Sequence, residues 1–213
     1  MKIQDLPKPL ASLAQRGLAS LGFYSGTFGG VPGPKTLRAY EAYLAAGEGD
    51  LPKKGSLASR IVLLARGEVG VREEPKDSNR GKRVQEYQAA TWLEGTGWPW
   101  CAAFICWLCR EVGVPEEVRP RTAGAWDFER WARKNASPAD IFKPASKTIV
   151  QPGDILVLKI SHICLAVAGE RNGRVATVEG NTNLSGSREG GGVYLRSRSL
   201  GEIRSVIRLK QGG

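Results

Sequence analysis

The chain of 213 residues contains a single histidine, His162. Any imidazole that acts as an acid or base in this protein is therefore His162. Aromatic residues are few, 8% of the chain, and they are seldom interleaved with the basic residues, so a base-stacking platform for nucleic acid has little to be built from. The longest apolar run, Cys101 to Cys109, is too short to span a bilayer, and no stable membrane insertion is expected. The N-terminus is broken by Pro7 and Pro9 and carries Asp5, so the apolar core of a secretory signal is missing and ordinary secretion is not expected. Cysteine is also scarce. Of four, Cys101, Cys106 and Cys109 fall in one predicted helix, a poor arrangement for mutual disulfides, and free thiols are expected.

Positive charge, by contrast, is plentiful. Lysine and arginine outnumber aspartate and glutamate by 31 to 21, a net charge of +10, while 41% of residues are hydrophobic. The second figure is enough for a globular core, and the first predicts attraction to polyanions: nucleic acid, anionic headgroups or a bacterial envelope. The basic residues are spread over both halves of the chain, and nothing beyond charge favours nucleic acid, which is not expected as a partner.

Two domains are predicted. Leu10, Leu13, Ala14, Leu18 and Leu21 recur at helical spacing, as do Leu37, Tyr40, Ala42, Tyr43 and Leu44, with a glycine-rich loop between them. The loop glycines suit tight turns with positive φ, and Pro34 suits the first turn of the following helix. Residues 1–48 thus form a small helical domain, residues 49–57 read as a Gly/Pro-rich linker, and residues 58–213 form the main domain. In that domain helices are expected over Ala58 to Val69, Gly81 to Ala90, Cys101 to Val112 and Ala123 to Lys134. Strands are expected over Ile155 to Lys159, His162 to Ala168, Arg174 to Val178, Gly192 to Arg196 and Ile203 to Leu209. Helices followed by short consecutive strands predict an α+β domain with an antiparallel sheet.

Pro99 cannot lie inside a helix, so the helix carrying Ala102, Ala103, Phe104, Ile105 and Leu108 starts near Trp100 or Cys101. That puts the Cys101 sulfur at a helix N-terminus, where the partial positive charge favours a thiolate and free N–H groups can hold an oxyanion. Strand alternation places His162, Cys164 and Ala166 on one face of their strand and Thr177, Glu179 and Asn181 on one face of the next. With a two-residue turn at Asn172-Gly173, His162 lies opposite Asn183, and Asn181 is its diagonal neighbour; a bulge, or a turn two residues earlier, brings up Glu179 instead. Nucleophile, imidazole, then carboxylate or amide is the chain order of papain-like amide hydrolysis. A zinc site on Cys101, Cys106, Cys109 and His162 is the rival use of the same residues. Helix geometry opposes it, since Cys101 and Cys106 point roughly 140° apart and Cys109 lies about 12 Å along the axis from Cys101.

At these residues the stretch from about Ser59 to Leu209 resembles the CHAP and NlpC/P60 superfamily of cysteine amidohydrolases that cut peptidoglycan. The resemblance is carried by Pro99-Trp100-Cys101-Ala102-Ala103-Phe104, the helix with Trp126 and Trp131, Pro152-Gly153-Asp154-Ile155-Leu156-Val157-Leu158, Ser161-His162-Ile163 and Glu179-Gly180-Asn181. It implies a papain-like fold with Cys101 as nucleophile, His162 as base, Glu179 as the usual third member and Asn181 as an alternative or helper. Glu73, Glu74, Asn79, Gly81, Val84 and Tyr87 match a stretch found ahead of the cysteine in related enzymes. Many CHAP enzymes have glutamine where Trp100 stands, and some carry a calcium loop, for which Lys76-Asp77-Ser78-Asn79-Arg80-Gly81 is too poor in acids; no metal or cofactor is expected.

The first domain is similar to the three-helix peptidoglycan-binding domain through Leu21-Gly22-Phe23-Tyr24-Ser25-Gly26, Gly29-Gly30, Gly33-Pro34-Lys35-Thr36 and Ala39-Tyr40. The residues expected to touch substrate are Trp100 in the main domain and Tyr24 and Thr36 in the first. Together the resemblances imply a monomeric, phage endolysin-like protein that accumulates in the host bacterial cytoplasm and cuts the cell wall after the membrane is breached.

Overall fold

A computed structural model of the chain describes residues 5–20, 26–37, 56–134, 139–142 and 150–210. The chain divides into two compact units, Met1–Leu51 and Pro52–Gly213. The division falls inside the stretch read as a linker, most of which lies outside the described residues.

In the first unit α1 spans Lys8–Ser20, and a second helical run begins at Pro34 and is described over 34–37. The glycine-rich loop between them is held by the buried Gln15, which donates from Nε2 to Val31 O and Thr36 Oγ1, each at 3.0 Å, and accepts from Gly30 N–H at 3.0 Å. Gly30 is the residue the turn requires to be glycine: its φ is +71°, and a Cβ there would fall 2.3 Å from Lys8 O. The remainder of the expected three-helix arrangement, Tyr24 included, lies outside the described residues.

The second unit is α+β. Its helices are α2 (Leu57–Gly67), α3 (Lys82–Gln88), α4 (Cys101–Glu111) and α5 (Asp127–Lys134), and its strands are β1 (Ala139–Phe142), β2 (Ile155–Leu158), β3 (Ile163–Ala166), β4 (Arg174–Thr182), β5 (Gly192–Ser199) and β6 (Ile203–Leu209). The strands form one sheet in the order β1-β6-β2-β3-β4-β5, and every neighbouring pair is antiparallel. Ser56 caps α2 by accepting from Ser59 N–H at 3.1 Å.

The nine residues from Cys101 to Cys109 are all buried, because α4 is apolar on every side and forms the centre of the unit. It packs on β3 and β4 and against α2 and α3. The main cluster therefore joins Phe104, Ile105 and Leu108 of α4 to Ile155, Val157, Ile163, Leu165 and Val178 from one face of the sheet. The other face carries a smaller cluster, with Leu156, Leu158, Cys164, Ala166, Val175 and Val206. The connection from β5 to β6 is tied to two turns of the sheet: Leu200 N–H donates to Gly173 O at 2.9 Å and Lys159 N–H to Glu202 O at 3.0 Å. Among the described residues no helix is long and apolar enough to cross a membrane.

One strand was not anticipated. β1 is a four-residue strand, and it exists because its backbone pairs with β6, Asp140 opposite Arg208 and Ile141 opposite Ile207. Long-range pairing of this kind leaves no local periodicity to read.

Candidate active site

α4 starts at Cys101, with Trp100 as its N-cap in a non-helical conformation (φ −116°, ψ 15°) and Phe104 N–H donating to Trp100 O at 2.9 Å. The first-turn N–H groups have no acceptor within the helix, so the Cys101 sulfur sits beside free donors at the positive end of the helix dipole. Cys101 is 6% exposed, whereas His162 and Glu179 have no exposed surface and Asn181 is 1% exposed.

His162 immediately precedes β3. The turn leading to it uses a left-handed residue, Ser161 (φ +56°), and is closed by Leu158 N–H donating to His162 O at 2.8 Å. The imidazole Nε2 lies 3.1 Å from Glu179 Oε2. Nδ1 has no hydrogen-bond partner among the described residues and is the nitrogen left for the Cys101 thiol, whose proximity is one of the influences on the ring's titration. Burial disfavours the imidazolium, but Cys101 and Glu179 outweigh it and raise the His162 pKa to about 9. Burial likewise opposes ionisation of Glu179, yet His162 and Arg198 hold its pKa down at about 2.

The structure separates Glu179 from Asn181. Asn172 and Gly173 do form the expected turn, with φ of +50° and +74°, closing a bridge between Arg171 and Arg174. That turn alone would set Leu165 opposite Gly180. The observed partner is Val178, because the irregular stretch after Val167 displaces the register by two residues. Continued to His162, this register sets Asn181 opposite and Glu179 on the diagonal, and it is Glu179 that reaches Nε2. Asn181 follows it in a left-handed conformation (φ +57°) within a register shift of the β4–β5 pair, and neither polar atom of its side chain has a partner among the described residues. The backbone bulge thus withdraws Asn181 from the hydrogen bond to His162 that the unshifted register favoured.

The substrate contacts expected at Trp100 and Thr36 are not supported by the placement of these side chains. Trp100 has no exposed surface, donates from its indole N–H to Glu73 Oε1 at 2.8 Å and stacks on Tyr87 with ring centroids 5.4 Å apart. Thr36 is buried and accepts from Gln15. Both are scaffolding residues. Trp100 also accounts for the stretch ahead of the cysteine: Glu73 accepts from Asn79 N–H at 3.0 Å as well as from Trp100, and Gln88 bridges Asn79 O and Trp98 O. The residues from Glu73 to Gln88 build the wall behind the start of α4.

Two further residues complete the site: Thr177, already placed on the face of Glu179 by strand alternation, and Arg198, which the sequence did not single out. Thr177 Oγ1 donates to Glu179 Oε1 at 2.6 Å, and Arg198 on β5 donates to both oxygens of Glu179. Alternation on β4 and β5 places them correctly, but nothing in the run Arg196-Ser197-Arg198 marks which arginine turns inward.

All four cysteines are free. Burial pushes the Cys106 and Cys164 thiols up and the Cys109 thiol to about 12. Among the described residues no group of three or more His, Cys, Asp or Glu side chains stands close enough together to hold a metal ion.

No model of a known protein family matches this chain, and no curated protein matches it significantly.

Proposed function

We propose that the second unit is a peptidoglycan hydrolase of the CHAP and NlpC kind, with a papain-like arrangement of its site, that cleaves an amide of the peptide stem. The observation that carries this reading is the buried His162–Glu179 pair, with Nε2 engaged and Nδ1 left for a thiol at the N-terminus of a helix. His162 takes the Cys101 proton at Nδ1, and the thiolate attacks the scissile carbonyl. The developing oxyanion is held by the first-turn N–H groups of α4. The imidazolium then protonates the leaving amine, and water activated by the same ring hydrolyses the thioester, returning the thiol. Glu179 keeps Nε2 protonated and the ring oriented. Asn181, buried next to Gly180 with two polar side-chain atoms that have no partner among the described residues, is the helper of the set.

The first unit would hold the protein on the wall, and the net charge of +10 would favour an anionic envelope. In this reading the protein is an endolysin-like bacteriolytic enzyme, monomeric, reaching the wall from the host cytoplasm after membrane breach, and acting either as an N-acetylmuramoyl-L-alanine amidase or as an endopeptidase.

The test is mass spectrometry of soluble products from purified peptidoglycan digested with the wild type, Cys101→Ala and His162→Ala. New amine ends are expected from the wild type alone, and their identity names the bond. Pelleting of the wild type with the wall and no released product would instead favour a non-catalytic wall-binding protein.

A further inference from the structure

The carboxylate of Glu179 accepts four hydrogen bonds. Oε1 receives Thr177 Oγ1 at 2.6 Å and Arg198 Nε at 2.9 Å; Oε2 receives Arg198 Nη2 at 2.6 Å and faces His162 Nε2 at 3.1 Å. Four is the capacity of a carboxylate, so the group has no freedom to turn away. Two of the four come from one guanidinium, whose planar fork sets the plane of the carboxylate in a way a single-point cation does not. Arg198 is itself buried, and its remaining hydrogen bonds anchor it: Nη2 donates to Gly186 O at 3.0 Å and Nη1 to Glu202 Oε1 at 3.1 Å.

We infer that Arg198 is a positioning residue for the proposed hydrolysis, holding Glu179 so that Oε2 stays on His162 Nε2 and Nδ1 stays turned to Cys101. The inference rests on the catalytic reading above for its effect on rate, but its effect on the imidazole is independent of any activity. The ionisable groups around Glu179 are His162, the Cys164 thiol and Arg198, with Glu202 behind Arg198. Arg198 is the only permanent cation hydrogen-bonded to Glu179 among the described residues. Removing it takes a positive charge from the neighbourhood of both Glu179 and His162, so both should bind their protons more tightly. The two groups titrate as a pair, and both macroscopic steps move in the same direction.

His162 is the sole histidine, so its ring resonances can be followed by NMR without assignment. In Arg198→Met the imidazole titration should move up by about one pH unit or more. Arg198→Lys keeps the charge and loses the fork. Its titration should stay at the wild-type position, while kcat on peptidoglycan falls about tenfold or more with KM unchanged. A folded Arg198→Met protein, verified by near-ultraviolet circular dichroism, whose His162 titrates as in the wild type would overturn the proposal. So would full kcat in Arg198→Lys, which also carries the test should Arg198→Met not fold. If the wild type releases nothing from peptidoglycan, the enzymatic reading fails, and the NMR comparison still decides whether Arg198 governs the His162–Glu179 pair.

Discussion

Gly180 meets Trp100 with no room for a methyl group between them. A Cβ on Gly180 would lie 2.7 Å from Trp100 Cζ3 and 2.9 Å from Phe104 Cβ and Cγ. The residue between Glu179 and Asn181 is thereby pressed onto the N-cap and first turn of the helix that carries Cys101. This contact sets how closely the strand with the carboxylate approaches the helix with the thiol.

Gly180→Ala should therefore separate β4 from α4 or displace Trp100, which is pinned by Glu73 and Tyr87. Overpacking at a buried contact of this kind costs about 1–3 kcal/mol. Because the displaced elements are the two halves of the site, the proposed hydrolysis should fall further than stability, by about a hundredfold for a shift near 1 Å. Thermal unfolding and the rate of peptidoglycan solubilisation measure the two effects. An unchanged melting temperature together with an unchanged rate would show that the contact yields without consequence.

The charges at the site also make stability depend on pH. Glu179 has a folded pKa lowered from 4.5 to about 2, so its contribution is present above pH 4.5 and is lost as pH falls from 4.5 towards 2. His162 has a folded pKa raised from 6.5 to about 9, so its contribution is present below pH 6.5 and is lost as pH rises from 6.5 through 9. Glu68, lowered by Arg83 and Tyr87, and Glu129, lowered by Ser205 and Arg204, both against the opposing effect of burial, add to the acid side. Denaturant midpoints should be highest between about pH 4.5 and 6.5. His162→Gln should flatten the alkaline decline; a decline as steep as in the wild type would assign it to other groups.

Much of this site was legible in the chain because its signals are local. Pro99 followed by ten apolar residues marks both where α4 begins and that it is buried, and the strand pattern brings His162, just ahead of β3, beside Glu179 on β4. What could not be read depends on distant partners. The turn at Asn172-Gly173 was predictable, but the irregularity after Val167 that shifts the register, and the left-handed backbone at Asn181 that leaves Nε2 to Glu179, have no turn signature of their own. Trp100 beside Cys101 invited a substrate contact; it is buried, with its indole N–H on an acceptor, Glu73, located 27 residues earlier. β1 forms only through its ladder to β6, and Arg198 is distinguished from Arg196 only by the carboxylate it meets across the sheet.

The four thiols lead to a prediction that needs no substrate. Cys106, Cys109 and Cys164 have no exposed surface, and burial raises the titration of each. Thiolate is the reactive form and access is required, so these three should be inert while the protein is folded. Cys101 has the exposed edge, the helix N-terminus and the imidazole beside it. Iodoacetamide at pH 6 should therefore add one carboxamidomethyl group per native chain, located by peptide mapping at Cys101, and four after denaturation at alkaline pH. His162→Ala removes the imidazole proposed to accept the Cys101 proton and should slow the native reaction by about tenfold or more. Labelling of Cys101 at an equal rate in His162→Ala would mean that the imidazole does not activate the thiol. The mechanism proposed for this site would then lose its first step.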